Sequence, residues 1–149
     1  MAHFSNHLQT GAAYVNLLVA PSQPRQDALR KSNLPVPPPL RVRGLIDTGS
    51  SKSAIDTHIV QSLGLQPTGS ESVHTLSTWG TPHHTITYDV AIMILGSGSS
   101  IKNTFVLPAL AVTESALRYL GYEIVIGRDV LAHCLFVYDG RANLFSVAF

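Results

Sequence analysis

Asp47 is the residue whose setting in this sequence most suggests chemistry. It directly follows Leu45 and Ile46, two large apolar residues, and precedes Thr48, Gly49 and Ser50. Such a setting draws a carboxylate toward the core, where its ionised form is costly to desolvate. Gly49 permits a tight turn and a close approach of backbone to a ligand. Thr48 and Ser50 place a hydroxyl on either side of the acid. A plain turn-capping role would account for the same four residues, because Asp and Gly are common in turns. A second stretch weighs against it. Ile124-Val125-Ile126-Gly127-Arg128-Asp129 repeats the design of apolar strand, then glycine, then short helix.

Other chemistries fit less well. A phosphoryl-accepting aspartate usually has a second acid two residues on, where this chain has Gly49, and no P-loop lysine is present. Ser50 or Ser51 as nucleophile lacks the flanking glycines of a nucleophile elbow. Gly96-Ser97-Gly98-Ser99-Ser100 is glycine-rich, but a phosphate cradle needs a helix N-terminus behind it. Ile101–Leu107 reads as strand, so a hairpin turn is expected. His83 and His84 are adjacent, hence on opposite faces of a strand, and no third ligand stands at metal spacing. Exposed positions near a hairpin tip suit them better. Cys134 reads as a small buried hydrophobe. No metal and no cofactor are expected.

The elements that must position Asp47 are mostly strands. Residues 1–11 are polar and read as a flexible lead, with one domain expected over 12–149. Ala12–Ala20 reads as strand. Pro21–Pro39 holds six of the nine prolines and reads as a long exposed loop. Leu40–Ile46 is the strand that carries Asp47. A helix is predicted next, with Ser53 as N-cap and Asp56 in the capping-box position. Ile55, Ile59, Val60 and Leu63 share its face, and Gly64 stops it. Glu71–Leu95 reads as a long hairpin, with Ile86, Tyr88, Val90, Ile92 and Ile94 at a period of two. Trp79-Gly80-Thr81-Pro82 falls at its tip. Ala109–Val112 is a short strand, and Thr113 would cap a brief helix, Glu114–Leu120, closed by Gly121. Glu123–Ile126 is strand and Val130–His133 a helical turn. Leu135–Tyr138 and Ala142–Phe149 form a hairpin through Asp139-Gly140. The class is mostly β with one or two short helices.

The two apolar-strand-to-turn stretches together resemble the retropepsin-like aspartic peptidases, the retroviral proteases and their single-domain relatives. There an Asp-Thr-Gly-Ser/Ala turn follows two apolar residues, and a later apolar-apolar-Gly segment crosses beside it in a ψ-shaped loop. Val125-Ile126-Gly127 is similar to that segment, and Gly127-Arg128-Asp129 to the Gly-Arg-Asn/Asp of retroviral members. The resemblance implies a closed β-barrel or sandwich protomer with a flap hairpin. Ser77, Thr78, Trp79, Gly80 and Thr81 would form the flap tip over a polypeptide substrate. It implies aspartic endopeptidase activity with Asp47, Thr48, Gly49 and Ser50 in the catalytic turn, Thr48 bonding across a twofold axis and Ser50 orienting Asp47. Ser51 stands where retroviral members often have an Asp that pairs with the later Arg. Arg128 therefore needs another partner, Asp129 or a backbone carbonyl. The flap tip lacks the family's glycine-rich run, and the Pro-rich loop is longer than usual.

An aspartic peptidase needs two close carboxylates sharing one proton, yet the sequence holds a single Asp-Thr-Gly. Asp129 begins a helix, where capping or a structural ion pair is its expected role. A homodimer would supply the second acid, and the apolar Leu144–Phe149 segment would add strands to a shared interface sheet. The alternative is a non-catalytic dimeric peptide-binding module on the same fold. A self-processing precursor, trimmed before Gly11, is a third reading.

With 149 residues, 45% of them hydrophobic, the sequence suffices for one domain with a real core. A net charge of +1 offers no electrostatic footprint for nucleic acid. No apolar run reaches membrane-spanning length, and residues 1–10 lack a secretory layout. The default location is cytoplasmic. A single cysteine excludes an internal disulfide.

Overall fold

The computed structural model describes residues 1–74, 80–96 and 104–149. The elements run β1 (His3–His7), β2 (Tyr14–Pro21), α1 (Gln23–Lys31), β3 (Leu40–Ile46), β4 (Ala54–Asp56), α2 (Thr57–Ser62), β5 (Pro67–Val73), β6 (His83–Leu95) and β7 (Thr104–Ser115). After a 3-10 turn at Arg118–Leu120 come β8 (Ile124–Ile126), α3 (Arg128–Leu131), β9 (Leu135–Asp139) and β10 (Leu144–Ala148). The strands order as β2-β3-β8-β4-β7-β6-β5, and β2 also pairs with β6. Six strands thus close into a barrel, with β5 appended. A second sheet has the order β1-β10-β9.

β6 makes the closure. Its first half, from His83 to Tyr88, pairs with β5, and Val90–Ile94 pairs with β2. Its period-two pattern sends Tyr88, Val90, Ile92 and Ile94 into the core, while Ile86 remains exposed. The β6–β7 register shifts between Val90 and Ile92, which face Leu110 and Leu107. Pro108 falls in that irregularity, where its missing N–H disturbs the ladder least. Ile124, Ile126, Val112, Leu17 and Val19 are fully buried inside the barrel. All of β8 is buried, because neighbours cover both of its faces.

Several expectations change. Residues 1–11 are not a loose lead: β1 pairs along β10, and Phe4 is buried against Phe145. The Pro21–Pro39 segment contains α1, with Pro24 in its first turn. A proline is tolerated there, because that N–H has no partner within the helix. Ser53 caps no helix. Residues 54–56 form a strand first, and Asp56 is the N-cap, accepting from the His58 N–H at 2.8 Å. β7 runs on to Ser115, so only the 3-10 turn remains of the predicted Glu114–Leu120 helix, closed by Gly121 in the left-handed region. Of the turn expected over Gly96–Ser100, residues 97–100 lie outside the described residues.

Candidate active site

β8 lies between β3, to which it runs parallel, and β4, to which it runs antiparallel. The segments after β3 and β8 therefore cross in a ψ-shaped arrangement. The ladder continues to the acid itself: the Asp47 N–H donates to the Ile126 carbonyl at 3.0 Å. Asp47 is half-buried, and Thr48 and Gly49 are exposed at the turn. Asp47 Oδ1 accepts the Gly49 N–H at 2.9 Å, and the Ser50 N–H donates to the Asp47 carbonyl at 3.2 Å. One carboxylate oxygen is thus held by the turn's own backbone.

The second stretch grips this turn from behind. The Arg128 N–H donates to the Ser50 carbonyl at 2.9 Å. Arg128 Nη1 donates to the carbonyls of Thr48 (2.8 Å) and Gly49 (3.1 Å). Of the two partners expected for Arg128, the backbone carbonyl is the one it takes. Asp129 instead accepts from the Ser53 N–H (2.9 Å) and hydroxyl (2.7 Å), and from the Val130 N–H (2.9 Å). It is not the helix N-cap, a position Gly127 holds. The Ser53 hydroxyl accepts the Gly127 N–H at 3.0 Å. A Cβ on Gly127 would lie 2.6 Å from the Lys52 carbonyl carbon and 2.7 Å from its oxygen. Only glycine lets the two backbones cross this closely.

Asp47, Thr48, Gly49 and Ser50 thus meet Ile126, Gly127 and Arg128 at one crossing, with Val125 paired to Leu45 and Ala54 beside it. Ser50 departs from its expected role: its hydroxyl donates to the Lys52 carbonyl at 2.7 Å, which fixes the turn rather than the Asp47 carboxylate. Of the flap residues, Ser77, Thr78 and Trp79 lie outside the described residues. Gly80 has a φ of +82°, and Gly80 and Thr81 are exposed just before β6. Lys52 Nζ lies 3.3 Å from Glu71 Oε1 and ties the segment after the Asp47 turn to β5. Among the described residues no cluster of three His, Cys, Asp or Glu could hold a metal ion. No helix among them is long and apolar enough to cross a membrane.

Sequence reasoning missed Ser53 and the aromatic pair near the acid. The Tyr14 and Tyr122 rings lie 6.2 Å apart, with the Arg43 guanidinium over Tyr14. Burial pushes the Tyr122 phenol up, and the charges of Tyr14, Asp47 and Tyr119 push it further. Ser53 read as a helix cap because Ser-x-x-Asp is also the capping pattern. Only the fold shows that its partner is Asp129.

The arrangement is that of retropepsin-like proteins. A retropepsin-like aspartic protease from Rickettsia conorii superposes with a TM-score of 0.60 at 15% identity, over 99% of this chain and 91% of that one. Residues 40–104, from β3 through the Asp47 turn to the start of β7, match the aspartyl protease family model. No curated protein matches the chain. The 40–104 stretch thus matches the aspartyl protease model, and the fold of the chain is retropepsin-like.

Proposed function

We propose that this chain is an aspartic endopeptidase that works as a homodimer, with one Asp47 from each copy. The observation that carries the reading is the built turn. Asp47 ends an apolar strand, its Oδ1 is held by Gly49, and the crossing segment clamps the turn through Arg128. A binding groove has no need of an acid so fixed at a strand end.

Two such carboxylates facing each other hold one proton between them, because both cannot ionise at close range. The ionised member takes a proton from water as the oxygen attacks the scissile carbonyl carbon, and the protonated member donates to the carbonyl oxygen. The tetrahedral diol then collapses. The C–N bond breaks, and a proton passes to the leaving nitrogen. By resemblance, Thr48 hydroxyls would bond across the twofold axis, and the hairpin tip from Ser77 to Thr81 would close over the substrate.

The test is incubation of the purified chain with an unstructured polypeptide from pH 3 to 7, with and without pepstatin. Pepstatin-sensitive cleavage with a bell-shaped pH profile supports the reading. A confirmed dimer that cleaves nothing across that range would instead be a peptide-binding module.

A further inference from the structure

We propose that Arg43 makes the site selective for acidic peptides, its guanidinium taking a substrate carboxylate about two to four residues from the bond that is cut. This rests on the endopeptidase reading and names the peptide class that its site favours.

β3 places Arg43 on the side of the acid. Val42, Gly44 and Ile46 are buried, and Arg43 and Leu45 alternate with them on the other face of the strand, which Asp47 continues. Tyr14 pairs with Leu45 and so stands on that same face. The Tyr122 ring lies 6.2 Å from the Tyr14 ring, and the charge of Asp47 reaches the Tyr122 phenol. The two rings form a half-buried aromatic shelf beside the acid, and Arg43 lies on it. Leu45 and Arg43 precede Asp47 by roughly 7 and 13 Å of strand. An extended peptide running beside β3 covers that distance in about two to four residues.

The guanidinium is fixed, and its charge is left unmatched. It sits 3.9 Å from the centroid of the Tyr14 ring. Nη1 donates to the Gly121 carbonyl at 3.3 Å, and Nη2 donates to Gln9 Oε1. Both acceptors are neutral. The neighbouring acid, Glu123, turns an oxygen to the Arg43 main-chain N–H instead, at 2.8 Å. Among the described residues no carboxylate lies within ion-pair distance of the guanidinium. A guanidinium has more N–H donors than these two acceptors use, in a fork that fits a carboxylate. Held in place beforehand, it gives up little freedom when a substrate acid arrives.

The test uses peptides built on a sequence that the chain cuts, with Glu or Gln at each position two to four residues from the cut, on either side. At one or more of these positions the Glu peptide should have a kcat/KM about three- to tenfold above its Gln partner, carried by KM. Added salt should shrink that ratio. Arg43→Gln should bring it to about one, and Arg43→Glu should invert it. The ratio compares two peptides on one protein, so a variant that folds only in part still reports. A ratio near one at every position in the unmodified chain, or a preference that survives in Arg43→Gln, would overturn the assignment. An unmodified chain that cuts no polypeptide at all is the separate failure of the endopeptidase reading, and it takes this inference with it.

Discussion

Asp47→Asn keeps the size of the side chain and an oxygen to accept the Gly49 N–H, but it removes the group that shares a proton. Cleavage should fall by at least about 10²-fold, with the thermal unfolding curve little moved. Unchanged turnover in a peptide assay would refute the role. Gly127→Ala acts through backbone instead. A methyl group 2.6 Å from the Lys52 carbonyl carbon must force the ψ crossing apart. A loss of about 1–3 kcal/mol is expected in urea unfolding, together with lost cleavage. Asp56 governs the acid limb of stability. Burial alone would raise its pKa, but the N–H groups of Arg118, His58 and Leu117 outweigh it, so the folded value lies below the ordinary 3.8. Its contribution is therefore complete above about pH 4 and drains away as pH falls through the folded value. Asp56→Asn should lower stability at neutral pH and flatten the decline below pH 4 in pH-dependent urea titrations. At this scale the tight turn at Asp47 was legible in the sequence because it is local, built from neighbours. The Ser53–Asp129 bond was not, since its partners stand 76 positions apart and each reads as a helix cap on its own.

The elements divide along the same line. β3 and β6 could be read directly, one as an apolar run and the other from its period of two. α1 was hidden by Pro24, which looks like a breaker and sits where a helix start accepts one. The start of α2 was misplaced because Ile55 is buried whether residues 54–56 are helix or strand. β1 looked too polar to pack, and a single side chain, Phe4, anchors it. The hairpin that ends in β6 carries its own expectation. Gly80 sits at φ +82°, and among the described residues nothing lies within 4 Å of where its Cβ would be. Gly80→Val therefore strains the tip without disturbing packing. Turnover should drop with little change in melting temperature. Unchanged steady-state kinetics would show that the tip does not gate the cleft.

For the molecule as a whole, the mostly β class and the barrel followed from strand patterning and from two motifs. The intrachain β1-β10-β9 sheet did not, because strand pairing between the two ends of a chain leaves no local trace in sequence. That sheet joins both chain ends to one body and leaves β9 at an edge. The Asp47 turn stands at one crossing with a single acid to offer, so the account requires a second copy to complete it. The most direct measurement mixes wild-type chain with Asp47→Asn chain at equal concentration, after exchange through low protein concentration. If each site draws one acid from each of two copies, roughly half of the wild-type chains enter mixed, inactive dimers, and cleavage per wild-type chain should fall by about that share. Cleavage per wild-type chain that stays constant across all mixing ratios, in a sample shown to exchange subunits, would contradict the account.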